Sequence, residues 1–283
     1  MLIEKILKVC YTIAMENLNG KKYVVVTGAF GGMGREAVKS LVGSGYTVFA
    51  LDKKVGNAQE NVIPIEVDVS DFSSVKSAVE RVKAVTNKIF AVIHYAGIYA
   101  LDSLVEMSEE SFKKVFEINL YGVFCVNKAF ISLLDKGSKI VIVTSELAPL
   151  LPLPFTGVYA VSKTALDRYA YSLKMEVQLL DISVSVIRAG AVQTDMLGAS
   201  TTALDKFIEN TKLYNCNAKR FKKIVDSVET KNVSPKKIAD KTLKILTAKK
   251  PKFKYTINRN KLLLLLNALP SSLQFYIIKK ILK

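Results

Sequence analysis

The chain has 283 residues and 50% hydrophobic side chains, enough to fill the core of one large α/β domain, and this excludes a disordered or fibrous chain. Its 41 Lys and Arg against 25 Asp and Glu give a formal charge of +16, a balance that points to an anionic surface or substrate. The excess is local: residues 1–210 carry 22 basic and 22 acidic side chains, whereas residues 211–283 carry 19 basic and three acidic ones, Asp226, Glu229 and Asp240. Three scattered cysteines (Cys10, Cys125, Cys216) without a CxxC pair, and a single histidine, offer no zinc-ligand spacing, so no metal is expected and a reduced cytoplasm is the expected setting.

In chain order, residues 1–20 read as an amphipathic helical extension, with Leu2, Ile3, Ile6, Leu7 and Cys10 at helical spacing. Its apolar run is bracketed by Glu4 and Glu16 and lacks a small-residue cleavage site, which argues against a secretory signal. Predicted strands follow at 22–27, 47–51, 63–67, 90–94, 139–144, 183–187 and 255–257, several of them near-continuous Val/Ile runs suited to parallel strands buried on both faces. Helices are predicted at 33–43, 72–86, 108–135 and 159–180, then across 201–228 and 235–248, the last started by Ser234-Pro235. The alternation predicts an α/β fold: a doubly wound parallel sheet of six to seven strands, right-handed crossovers and helices on both faces, all within residues 21–260. Residues 261–283 form a basic, apolar helical tail; their run at 262–278 is broken by Asn267, Pro270, Ser271, Ser272 and Gln274 and is too interrupted to span a bilayer.

After the first strand, Thr27-Gly28-Ala29-Phe30-Gly31-Gly32-Met33-Gly34 leads into a helix, a loop whose glycines allow a tight turn and close approach to a pyrophosphate at the helix N-terminus. Asp52 ends the second strand 24 residues after Gly28, where a carboxylate can hold the ribose hydroxyls of NAD and repel a 2′-phosphate. Lys53 and Lys54 beside it leave NADP open. Asp68-Val69 ends the third strand and reads equally as an adenine contact or as a helix cap. Further on, Tyr159 and Lys163 stand at i and i+4 on one helix face, where the ammonium can lower the pKa of a phenol that otherwise titrates near pH ~10.

Together these residues resemble the short-chain dehydrogenase/reductase family from Lys21 to about Ala248, with likeness to its hydroxysteroid and retinol dehydrogenase members. Asn119 in Ile118-Asn119-Leu120 matches the family's helix-kinking asparagine, and Ser145 in Val143-Thr144-Ser145 its substrate-orienting serine. Ile187-Arg188-Ala189-Gly190-Ala191-Val192-Gln193-Thr194 is similar to the loop closing on the nicotinamide, with Gly190, Val192 and Thr194 at its contact positions. His94-Tyr95-Ala96-Gly97 stands where the family has Asn-Asn-Ala-Gly; Ala96 and Gly97 are retained at the cofactor, and His94 and Tyr95 are expected to be structural. Ala189 replaces the usual proline. Ser145 lies 14 residues before Tyr159, one more than the family's common interval, so an extra residue in the loop 149–155 is expected to return Ser145 to the site, with Glu146 the competing occupant.

The resemblance implies a Rossmann-type fold and an NAD(P)-dependent oxidoreductase that interconverts a secondary alcohol and a ketone. Tyr159 is the implied acid–base group, Ser145 the implied donor to substrate oxygen, Lys163 the implied ribose ligand and Asn119 the implied link to solvent through water. It also implies a homodimer or homotetramer. The segment 196–228 is the expected substrate lid, and Met196, Leu197, Leu204, Phe207, Ile208, Leu213 and Tyr214 make a lipid-, steroid- or retinoid-like substrate one reading and plain core packing another. For the tail, peripheral membrane contact, attraction of an acidic acyl-linked substrate and a solvated lysine face all stand open; no recognised motif supports nucleic acid as a partner. A catalytically weak cofactor-binding sensor or scaffold is the competing class of function.

Overall fold

The structure is a computed structural model that describes residues 22–283, apart from the side chains of 195–201 and 228–229; the predicted extension 1–20 lies outside the described residues. Seven strands, β1 (Lys22–Thr27), β2 (Tyr46–Asp52), β3 (Val62–Glu66), β4 (Ile89–His94), β5 (Leu134–Ser145), β6 (Ser183–Ala189) and β7 (Lys254–Ile257), form one parallel sheet in the order β3-β2-β1-β4-β5-β6-β7. Each Val/Ile run is buried on both faces, as its composition requires. One face is covered by α2 (Phe72–Lys83), α4 (Gly122–Phe130) and α5 (Gly157–Val177), the other by α1 (Gly32–Val42) and α8 (Pro235–Thr247).

The remaining helices are α3 (Glu109–Phe116), α6 (Asp195–Asn210), α7 (Asn215–Glu229), α9 (Lys261–Asn267) and α10 (Ser271–Leu282). The single helix predicted at 108–135 is α3, a π-helical turn at Glu117–Tyr121, α4 and a short 3₁₀ turn, and it stops at Leu133. Gly137 at φ 87° turns the chain inside a strand that begins five residues earlier than its apolar run predicts. Lys139 in that strand is buried because its Nζ donates to the carbonyls of Ile245, Leu246 and Ala248, which end α8 without helical partners. The region 201–228 is two helices, α6 and α7, which build a separate apolar cluster of Leu204, Phe207, Ala218 and Phe221 with Leu101 and Phe155. Leu282 of the tail completes that cluster, and Asn217 donates to the Leu282 carbonyl, so α10 is packed on the lid region.

Sheet order reverses between β1 and β4. In an open parallel sheet the crevice above that switch point is where ligands bind, so the loops after β1 and β4 define the place to look.

Candidate active site and cofactor cleft

Two adjoining cavities open over the carboxyl ends of the strands. The first is lined by the glycine loop, Asp52, Asp68, Val69, Ala96, Gly97 and Thr194; the second by Ser145, Glu146, Tyr159, Gly190, Val192 and Thr194 among others, so Thr194 and Met33 border both. The glycines of the loop are sterically required. Gly28 has φ 65°, and a Cβ there would fall 2.6 Å from the Ala96 nitrogen; at Gly32 it would strike Thr194 at 2.6 Å, and at Gly34 the Gly28 carbonyl. A backbone this bare beside the N-terminus of α1 is a cradle shaped for a pyrophosphate, so the chain's own geometry fits a dinucleotide.

Two expected contacts are placed differently. Thr27 is buried beneath the cleft, its Oγ1 accepting from the Ala96 N–H at 3.4 Å. Phe30 turns its ring over Gly56, while its N–H donates to Asp52 Oδ2 at 2.9 Å. Neither side chain lines the cavity, because both serve to shape the loop and fix Asp52. The other Asp52 oxygen accepts from the Lys53 N–H at 2.8 Å. Asp68 is drawn into a turn by Ser70 and paired with Lys53 at 2.6 Å, which holds its carboxyl at about 2; the helix cap proper is Asp71, which accepts from the Ser73 N–H. Val69 packs against Gly122.

Ser145 ends β5 and lines the second cavity together with Tyr159, its Oγ accepting from the Leu147 N–H at 3.1 Å. Glu146 borders the same cavity, its Oε2 accepting from the Asn260 N–H at 2.6 Å. Phe155, near the end of the loop that separates Ser145 from Tyr159, takes φ 63°, a left-handed conformation that L side chains adopt at a cost, and its ring is held by Phe207, Tyr214 and Phe221.

Tyr159 is buried on α5, with the Tyr99 ring edge-on at 4.5 Å. Burial pushes its phenol up to about 12, against a smaller downward pull from the Ser145 hydrogen bond. The same burial brings Lys163 down to about 8. Its ammonium lies 5.7 Å from the centre of the Tyr159 ring, and a Cβ at Gly97 would fall 3.3 Å from Lys163 Nζ and 3.2 Å from Asn119 Oδ1, so these groups converge on one bare position of the β4 loop. Asn119 sits within the π-helical turn, fully buried: Oδ1 accepts from the Ile98 N–H at 2.8 Å, and Nδ2 donates to the Ile98 carbonyl and Ser162 Oγ. The kink expected at this residue is therefore a π-turn that lets its amide staple the Ala96–Ile98 segment.

The polar ends of His94 and Tyr95 are engaged in the core, although Tyr95 also borders the first cavity. His94 Nε2 meets Asn127 Oδ1 at 2.9 Å and Tyr95 Oη meets Thr242 Oγ1 at 2.6 Å, tying β4 to a helix on each face of the sheet. Arg188 pairs with buried Asp167, linking β6 to α5. Sequence reasoning missed Tyr99, Leu153 and Leu263 of the cavity wall; of these only Leu263 carried a signal, as part of the run Leu262–Leu266. Among the described residues there is no cluster of His, Cys, Asp and Glu suited to a metal ion.

Comparison with known proteins agrees with this geometry. The family model described as short chain dehydrogenase matches residues 22–205. The chain is 27% identical over 254 residues to the uncharacterized oxidoreductase YbbO of Escherichia coli (strain K12), covering 86% of this chain and 89% of that protein. It is 25% identical over 232 residues to a 3-ketodihydrosphingosine reductase of Bacteroides thetaiotaomicron, covering 82% and 86% respectively. A short chain dehydrogenase from Burkholderia cenocepacia, crystallised in complex with NADP, shares its fold at a TM-score of 0.70 and 20% identity, over 91% of this chain and 97% of that one. With two thirds of its length matched by the family model and the family's fold in place, the chain belongs to the short chain dehydrogenase family and is an oxidoreductase of that family.

Proposed function

We propose that this protein interconverts a secondary alcohol and a ketone on an apolar substrate, using NAD(H). The observation that carries the reading is that Ser145 and Tyr159 line one apolar cavity, with the Lys163 ammonium 5.7 Å from the Tyr159 ring centre, and that this cavity adjoins the glycine-loop cleft. The dinucleotide, when bound, supplies or accepts a hydride at its nicotinamide. Gly28, Gly32, Met33 and Gly34 would hold its phosphates, Asp52 its adenosine ribose, Ala96, Gly97 and Val69 the intervening wall, and Gly190, Val192 and Thr194 the nicotinamide end.

Ser145 donates to the substrate oxygen, and Tyr159 gives its proton to that oxygen in reduction or takes it in oxidation. At neutral pH the buried phenol is protonated, the form that donates to a ketone. Lys163 supplies positive charge behind the ring and an ammonium for the nicotinamide ribose, and Asn119 positions the loop on which that ammonium rests. Asp68, already paired with Lys53, serves the adenine side through its backbone turn rather than its carboxylate.

NAD rather than NADP follows from Asp52: a 2′-phosphate would meet its carboxylate, and Lys53 would have to leave Asp68 to compensate. The substrate cavity is walled by Tyr99, Leu147, Leu153, Phe221, Ile224 and Leu263, which fits a lipid-, steroid- or retinoid-like carbonyl compound, and the relative named for 3-ketodihydrosphingosine agrees with that class. Titration with NADH and NADPH, followed by fluorescence, tests the cofactor. Tight NADH preference that collapses in Asp52→Ala supports the reading; binding of neither nucleotide refutes it. Tyr159→Phe should bind NADH normally and lose about 10²–10⁴ in turnover; near-normal turnover would reject the acid–base role, whereas cofactor binding without turnover in the parent protein would favour a sensor or scaffold.

A second reading concerns where the enzyme works. On the tail, Leu262, Leu265, Phe275 and Tyr276 are exposed, and Lys279 and Lys280 follow one turn after the two aromatics on α10, an arrangement suited to the face of an anionic bilayer. No helix among the described residues is long and apolar enough to cross a membrane. Co-sedimentation with phosphatidylserine vesicles, lost on Phe275→Asp, supports peripheral attachment. Exposed Tyr121, Phe124, Val161 and Tyr171 on α4, its π-turn and α5 are in turn the faces that a homodimer or homotetramer would cover.

A further inference from the structure

We infer that the C-terminal segment from Asn258 to Asn267 is a fixed wall of the substrate cavity, that Glu146 is the latch that positions it, and that Leu263 on this wall sets which substrates fit. The inference rests on the reading of the second cavity as the substrate site. It begins from an anomaly: Glu146 follows Ser145 directly, is 6% exposed, lines the cavity and forms no salt bridge among the described residues. A buried carboxylate in an apolar pocket is costly unless its oxygens are satisfied. Here Oε2 accepts the Asn260 N–H at 2.6 Å, and Oε1 stands 2.9 Å from where a Cβ of Gly190 would lie. Burial raises the carboxyl, while the Asn260 hydrogen bond and the charge of Arg259 draw it back.

Everything around that bond fixes the tail at the cavity edge. Gly190 donates to the Ile257 carbonyl at 2.9 Å, and Asn258, at φ 58°, donates from its side chain to the carbonyls of Ala191 and Lys231. Asn260 caps α9, its Oδ1 accepting from Leu262 and Leu263, so the residue latched to Glu146 also starts the helix that carries Leu263 into the cavity. At the far end of α9, Asn267 Oδ1 accepts from the Leu151 N–H at 2.8 Å. The short helix is therefore tied at both ends to the loop that separates Ser145 from Tyr159. The interval from Ser145 to Tyr159 is one residue longer than the one common in the family, and the tail braces this segment.

The position of Leu263 makes the wall selective: it lines the cavity from the helix that Asn260 starts, so loss of the latch moves this apolar wall away from a bound chain. The test uses the absence of tryptophan from the chain. Leu263→Trp in the full-length protein introduces a lone fluorophore into the wall. In the presence of NADH, its emission should be blue relative to a solvent-exposed indole and should respond to methyl ketones of rising chain length, from hexyl to dodecyl, with half-saturation falling as the chain grows. Adding Glu146→Ala should raise that half-saturation about tenfold, the equivalent of one lost hydrogen bond to a charged acceptor, while Glu146→Gln, whose amide oxygen still accepts from Asn260, should restore it. Asn267→Ala provides an independent loosening at the other end, should Glu146→Ala fold poorly. In Leu263→Ala with natural tryptophan-free background, KM for the longest ketone should change with kcat held.

Water-exposed emission indifferent to every ketone, or a Glu146→Ala protein with unchanged half-saturation, overturns the inference. A ketone response without NADH-linked turnover in the parent leaves the wall in place and rejects the oxidoreductase reading of the site instead, so the two failures are distinct.

Discussion

His94 is the chain's single histidine, which makes its protonation separable from every other group. It is 2% exposed, hydrogen-bonded to Asn127, and burial lowers its pKa from 6.5 to about 4. Above pH 6.5 the ring is neutral in both folded and unfolded chains and contributes no pH dependence. Below 6.5 the unfolded chain binds a proton that the folded chain refuses, so stability falls as pH drops, and the loss stops near pH 4 where the folded ring also protonates. At about 1.4 kcal/mol per pH unit, a depression of this size costs roughly 3 kcal/mol over the whole window and about 2 kcal/mol by pH ~5.

His94→Asn keeps a polar partner for Asn127 and removes the titration. Urea unfolding of both proteins at about pH 7.5 and pH 5 should give a difference between them that changes by about 2 kcal/mol in favour of the variant at the lower pH. Carboxylates titrate alike in both proteins and cancel. A difference that stays constant within about 0.5 kcal/mol between the two conditions would refute the argument. So would a histidine Cε1 proton resonance in the folded protein that shifts with a midpoint near the unperturbed value of ~6.5.

Two further outcomes follow from buried groups nearer the site. Lys163, brought down to about 8, costs the folded protein up to about 3 kcal/mol below that pH, a cost released as pH rises toward 10.5; Lys163→Met should therefore raise the urea midpoint at neutral pH, lose the gain near pH ~10.5 and abolish turnover. Phe155→Gly relieves a left-handed conformation worth about 1 kcal/mol but removes a ring packed against three aromatic partners, so the net change should be a loss of about 2–4 kcal/mol in calorimetry or urea melts.

Much of this architecture was legible before folding, for identifiable physical reasons. Strands buried on both faces must be apolar throughout, and β1, β2, β4 and β6 appear as such runs; a pyrophosphate cradle demands glycine where Cβ atoms would collide, which the Gly28 and Gly34 contacts show directly. What sequence left hidden depends on contacts between distant segments. The break in the helix predicted at 108–135 is set by Asn119 reaching Ile98, and the early start of β5 by Leu134 pairing with Ile89 of β4 and Ser138 donating to the Ile89 carbonyl. Asp68 offered two local readings; the helix cap is Asp71, while Asp68 pairs with Lys53 at the edge of the first cavity. Thr27 and Phe30 lie in the motif yet outside the cavity lining, because a loop needs residues that shape it as well as residues that touch a ligand.

The same reasoning ties the basic tail to the fold. Counted as charge alone, residues 211–283 read as an appendage with 19 basic side chains, and nothing in that count places them near the chemistry. Placed by their uncharged residues, they do the opposite of an appendage: Asn260 and Asn267 pin α9 to the loop between Ser145 and Tyr159, and Leu282 enters the cluster that holds Phe155 at the end of that loop. Three separate attachments converge on the one segment whose length departs from the family's common interval. An extra residue there would give the loop more conformations, and each added one dilutes the population in which Ser145 faces the phenol. Bracing from outside removes that freedom without requiring a shorter loop, so the unusual interval and the tail are two parts of one solution.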